Sequence, residues 1–194
     1  MKRRWIVPLL LAVAAIGVGV SLTGEEAHKV QRINAAGLRV ENVGCETMEL
    51  NPLREEDNPA ILQTITDYYD GQRDAADFIE AYDNIRVYTK AGKGEGTYVA
   101  FVKYEMKIKD IYTKVPGLGT LYLKQDGTGS SYEVDTGAKE NGIREYVARI
   151  SRHEDVQALL DETGNEYTEA VQSDALLQEA LLDLKNAYED STGS

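Results

Sequence analysis

From Thr97 to Asp110 the polarity of the chain alternates. Tyr98, Ala100, Val102, Tyr104, Met106 and Ile108 fall on one side, and Lys103, Glu105, Lys107 and Lys109 on the other. A period of two is that of a β-strand with one wet face. Val99 and Phe101 break the rule by making the early half apolar on both sides, so a helix is expected to cover that end. Ile85 to Lys90 reads as a second strand, joined to the first through the glycine-rich stretch Ala91 to Gly96. Thr120 to Lys124 and Ser131 to Asp135 form a further hairpin around Asp126 and Gly127, the strongest short turn signal in the sequence.

On both sides of these strands the period changes to that of a helix. Asn58 and Pro59 make an N-cap and first-turn pair, and Ile61, Leu62, Ile65, Tyr68 and Tyr69 follow on one face until Gly71. Asp74 or Asp77 is then expected to start a further helical turn through Phe78, Ile79 and Tyr82. Beyond Gly137, Ile143, Tyr146, Val147 and Ile150 share a face. A longer stripe from Val156 through Leu160, Thr163, Tyr167, Ala170, Leu177, Leu181 and Leu184 to Tyr188 predicts one helix or two, with breaks at Gly164 and at Ser173–Asp174. That stripe is short of three or four clean heptads, which favours packing against the sheet over a coiled-coil seam.

The amino terminus adds a location. Lys2, Arg3 and Arg4 precede an apolar run from Trp5 to Val20, the arrangement of an export segment with a basic flank. Its length is close to the minimum for a spanning helix and its cleavage signals are weak, so residues 1–23 read as a signal anchor, or as a signal peptide if they are removed. Residues 24–55 form a juxtamembrane linker, with Ala27, Val30 and Ile33 suggesting a short helix; residues 56–136 form an α+β domain; residues 137–190 are a helical segment packed on it; residues 191–194 are a disordered tail. The domain is placed outside the cytoplasm, anchored to the membrane or secreted if the signal is cut. A formal charge of -12 argues against nucleic acid and against adsorption to anionic lipid beyond the anchor itself. The lone Cys45 cannot make an internal disulfide, so stability must come from the core. Its most economical role is a small packed side chain, because no local motif pairs a histidine with it.

Familiar chemistries fail on spacing. In Ala91 to Thr97 the glycines surround Lys93, but Gly94 stands where a phosphate loop needs Ser or Thr, and a strand follows instead of a helix. His153–Glu154 opens like a zinc-protease helix, yet Gln157 occupies the place of the second histidine. Ser130 and Ser131 lie at a hairpin turn, not on a nucleophile elbow. The sequence therefore offers no catalytic residue, no metal ligand set and no cofactor. Twelve tyrosines against two phenylalanines do stand out, since tyrosine suits a wet pocket or an interface as well as the edge of a core. The candidate ligand-pocket residues are Tyr68, Tyr69, Tyr98, Tyr104, Met106 and Tyr122. Asp67, Asp70 and Asp83 could reach a pocket mouth but read more simply as surface acids or caps.

Several segments carry a resemblance. Ile85-Arg86-Val87-Tyr88-Thr89-Lys90, Gly96-Thr97-Tyr98-Val99, Lys109-Asp110-Ile111, Val115-Pro116-Gly117-Leu118, Leu121-Tyr122, Asp126-Gly127 and Glu154-Asp155-Val156-Gln157-Ala158-Leu159 resemble the pattern of exported clostridial (Gram-positive) proteins of unknown function. The order of elements is similar to the cone of nuclear transport factor two and its relatives. From Asn58 to Leu182 the resemblance implies an α+β fold, a curved antiparallel sheet wrapped on helices, with an N-terminal membrane helix and a C-terminal helical extension. It brings no activity. Enzymes of that superfamily place acids or histidines inside the cone, whereas the inward row here, Tyr98, Val102, Tyr104, Met106 and Ile108, has no carboxylate. The implied function is a membrane-tethered, noncatalytic module binding a protein partner or an envelope ligand. The alternative is a small-molecule-binding protein or enzyme with its site inside the cone, and a third reading is a spacer. Look-alikes pair through the open sheet face, so a homodimer is a further expectation.

Overall fold

A computed structural model describes residues 50–135 and 142–192. The export segment, the linker helix, His28 and Cys45 lie outside the described residues. Within them, no helix is long and apolar enough to cross a membrane.

Five strands form one antiparallel meander in the order β1-β2-β3-β4-β5: β1 is Arg54–Glu55, β2 Ile79–Ala91, β3 Thr97–Ile108, β4 Val115–Gln125 and β5 Tyr132–Val134. Helix α1, Pro59–Ala75, lies between β1 and β2; α2, Ile143–Ile150, α3, Glu154–Ser173, and α4, Ala175–Thr192, follow β5. Asn58 caps α1 by accepting from the Ala60 N–H, with Pro59 in the first turn where its missing donor costs nothing.

The alternation read in β3 separates two cores. Ala100, Val102, Tyr104, Met106 and Ile108 join Leu121 and Leu123 of β4 against Ile61, Ile65 and Tyr69 of α1. Val99 and Phe101 point the other way and meet Leu118 and Tyr122, under Ile150 of α2 and Val156 and Leu159 of α3. The helix expected over the doubly apolar end of β3 is therefore α3 with α2. The helical stripe does pack on the sheet, and it breaks at Asp174, not at Gly164, which sits inside α3. Asp174 accepts from the Leu176 and Leu177 N–H groups and bonds Thr113 in the β3–β4 turn. This bend carries the chain around the sheet, so that Leu177 of α4 is buried in the first core.

Several boundaries differ from expectation: β1 falls within residues 24–55, read as a linker, and β4 begins at Val115 instead of Thr120. Helix α1 continues through Gly71 to Ala75, and Phe78 to Tyr82 is not a helical turn but the loop into β2 and that strand's start. Strand β2 changes register against β3 between Ile79 and Ala81 and again between Asp83 and Arg86, where Asn84 takes a positive φ of 50°. Each irregularity shifts the phase of the side chains and bends the strand, so a long strand shows no continuous period of two.

Candidate functional site

Helix α1 crosses the first face of the sheet and brings four tyrosine rings together. Tyr69 stands 5.0 Å from Tyr82 and 5.1 Å from Tyr104, Tyr82 and Tyr104 are 5.1 Å apart, and Tyr68 meets Tyr69 edge-on at 5.4 Å. The edge-to-face pairs set the positive rim of one ring against the negative face of the next. Room for them comes from β4, where Gly117 and Gly119 omit side chains beneath Tyr104 and Tyr69. A Cβ on Gly119 would stand 2.1 Å from the Tyr69 hydroxyl, and one on Gly117 would stand 2.6 Å from the Tyr104 ring. The rings fill the space between helix and sheet. Tyr69, Tyr104 and Met106 are exposed by only 4%, 5% and 3%.

Burial pushes the Tyr104 hydroxyl up to about 12, with the neighbouring Tyr68 adding to the effect, and it raises Tyr69 and Tyr82 in the same direction. At neutral pH these groups are protonated and cannot serve as bases. Among the described residues the Tyr82 hydroxyl is a buried polar atom left without a hydrogen-bond partner. Tyr82→Phe removes that unmet desolvation cost while keeping the ring contacts. It is expected to leave stability unchanged or raise it by about 1 kcal/mol, read from the urea midpoint.

The structure gathers Tyr68, Tyr69, Tyr104 and Met106 from the six candidate residues and adds Tyr82. Tyr98 lies at the far end of the same face, with its ring 5.8 Å from that of Tyr132. Tyr122 belongs to the opposite face. It pairs with Val99, while Leu123 pairs with Tyr98, so β4's parity turns Tyr122 toward α2 and α3. There its hydroxyl donates to Thr97 Oγ1 at 3.0 Å and accepts from the Lys93 N–H. The acids near the mouth are occupied at the surface: Asp67 accepts from Gln63, Asp70 from Arg73, and Asp83 pairs with Lys114.

A second cluster is not evident in the sequence. Lys90 is exposed by 1%, and its ammonium donates to the Asn51 carbonyl at 2.7 Å, to Asp155 Oδ2 at 2.7 Å and to His153 Nδ1 at 3.2 Å. Asp155 also accepts from the Leu53 N–H at 2.8 Å. Burial alone would raise Asp155, but the Lys90 ammonium and the Leu53 amide together hold it below the usual carboxylate range. The observed register pairs Lys90 with Val99, which puts it on the face that the sequence pattern leaves to be covered. With three acceptors filling its three donors and solvent excluded, Lys90 fastens segments together and offers nothing to a substrate.

No group of three or more His, Cys, Asp or Glu side chains among the described residues is placed to hold a metal ion. Compared with protein-family models, curated proteins and solved structures, the chain has no match.

Proposed function

We propose that this chain is a noncatalytic module, held outside the cytoplasm by residues 1–23, that works by binding a protein partner on its outer surface. The observation that carries this reading is the filled first face: Ala100, Val102, Tyr104 and Met106 are each buried to within 5% of full burial against α1. Catalysis or ligand capture inside a cone requires an accessible cavity and a group positioned to act on its contents. The interior of this face instead presents packed rings and protonated hydroxyls. The α+β arrangement supports the further proposal that the domain is a cone of the nuclear transport factor two type.

Large apolar side chains face solvent elsewhere. Tyr112 is 93% exposed in the β3–β4 turn and Leu176 is 63% exposed in the first turn of α4. The Asp174–Thr113 hydrogen bond ties these two segments together, which makes that end of the domain the favoured contact region. A photo-crosslinking residue at Tyr112 or Leu176 of the full-length protein, in intact cells, is expected to give a discrete protein adduct, with none at exposed Thr66 on α1. Adducts at neither position, or a stoichiometric small molecule retained in the native mass spectrum, would overturn the reading.

A further inference from the structure

We propose that Lys90, His153 and Asp155 form a pH-sensitive clasp, which fastens residues 51–56 to the domain in neutral surroundings and releases them in acidic ones. Residues 51–56 are the strap through which the domain continues into residues 1–49, and the strap is stitched along the edge of β2. The Asn51 side chain exchanges hydrogen bonds with the Ala91 backbone at 3.0 and 2.8 Å. Arg54 and Glu55 pair with Thr89 and Tyr88, the Glu56 N–H donates to the Val87 carbonyl at 2.8 Å, and the Thr89 hydroxyl donates to the Glu56 carboxylate at 2.8 Å. The Asn51 side-chain contacts lie at the surface, and the Thr89–Glu56 bond is half-buried. Two half-buried fixings reach further in, the Asn51 carbonyl on Lys90, whose own side chain has no exposure, and the Leu53 N–H on Asp155.

His153 decides whether those two inner fixings hold. An ammonium has only donors, so His153 Nδ1 must be an unprotonated acceptor and the neutral ring carries its proton on Nε2. Protonation turns Nδ1 into a donor and sets an imidazolium against an ammonium 3.2 Å away. The charged groups facing the ring are Lys90 from β2, Asp155 from α3 and Arg149 from α2, so a single carboxylate would then answer three cations. Of the strap's own charged residues, Arg54 and Glu55 are exposed, and the half-buried Glu56 carboxylate is held by the Thr89 hydroxyl and the Asn58 N–H, so none of the three relieves this. If Lys90 moves away it gives up its bond to the Asn51 carbonyl, and if His153 moves away it shifts the start of α3, which it caps, and with it the Asp155 carboxylate that holds the Leu53 N–H.

Burial first, and Lys90 next, hold His153 below its ordinary value of 6.5. A group whose pKa is depressed on folding contributes stability that is complete above its unfolded value and is lost as pH falls through its folded value, so the clasp loosens below about 6.5. Asp155 is also depressed below its ordinary value of 3.8, and it stays ionised through that window. The transition therefore belongs to the histidine.

Hydrogen–deuterium exchange of the full-length protein in detergent micelles tests this, with rates corrected for the intrinsic effect of pH. Between pH 7.5 and 5.0 a peptide spanning the strap is expected to lose about tenfold of its protection, while peptides from β3 keep theirs. His153→Gln retains an acceptor without a titration and is expected to make the strap's protection independent of pH. Nitrogen-15 imidazole spectra of the unaltered chain give a second readout that needs no variant, since His28 and His153 are its two histidines. His153 is expected to protonate below its ordinary value of 6.5, in step with the exchange transition. Equal strap protection at both pH values, an equal loss in His153→Gln, or protonation of His153 at or above 6.5 would each overturn the clasp.

Discussion

Asp155→Ala is expected to destabilise the folded domain by about 4 kcal/mol, the effect of stranding a buried charge by removing its partner. The Lys90 side chain has no exposure, whereas that of Asp155 retains 25%. Removing the carboxylate leaves an ammonium that water cannot reach, with only the Asn51 carbonyl and a neutral imidazole around it, and it also strips the Leu53 N–H of its acceptor. Removing the ammonium is less severe, because the remaining carboxylate can still be hydrated at its exposed edge. Lys90→Met is therefore expected to cost about 3 kcal/mol, at the lower end for breaking such a pair. The double variant is expected to lose less than the sum of the two, since neither charge remains to be stranded. Urea unfolding of the full-length protein followed by circular dichroism gives all three values. Additive losses, or a larger loss for Lys90→Met, would show that the pair is hydrated in the folded protein.

The same pair shows how far the fold can be read from the amino acids. Strand β3 is legible because its second half has a wet face, so Lys103, Glu105 and Lys107 mark the phase and the apolar residues between them fall into register. Helix α1 is legible from its cap, and the last hairpin from Asp126, whose carboxylate accepts from Thr128, Ser130 and Ser131 to close the turn. Strand β2 is not, because two changes of register scramble the alternation that a single strand would display. The tyrosine cluster is partly legible. Tyr68, Tyr69 and Tyr104 follow from helix spacing and strand parity, but Tyr82 reads locally as part of a helical turn, and Tyr122 depends on a pairing register that no local pattern fixes. Lys90 is hidden for a different reason. A lysine in a strand reads as solvated by default, and its burial becomes evident only when the segment around Asn51 and the start of α3 are brought to the same place.

Gly119→Ala is expected to cost about 3 kcal/mol and Gly117→Ala a comparable amount, for both add a methyl group to a packed face. The two substitutions part company in their rescue. At Gly119 the nearest atom to a new Cβ is the Tyr69 hydroxyl at 2.1 Å, while the ring carbon behind it stands 3.4 Å away, at the near edge of ordinary contact. Tyr69→Phe in the same chain removes the clash and is expected to restore most of the loss. At Gly117 the Tyr104 ring carbons themselves stand at 2.6 Å, so Tyr104→Phe removes the hydroxyl but leaves the clash, and no rescue is expected. Urea midpoints of the four variants decide the matter. This contrast bears on function as well as packing, because a rescue confined to the Tyr69 pair requires the first face to be filled to van der Waals contact by its own rings. If both alanines were tolerated, the helix and sheet would have to part easily enough to admit a ligand, and the noncatalytic reading would lose its principal support.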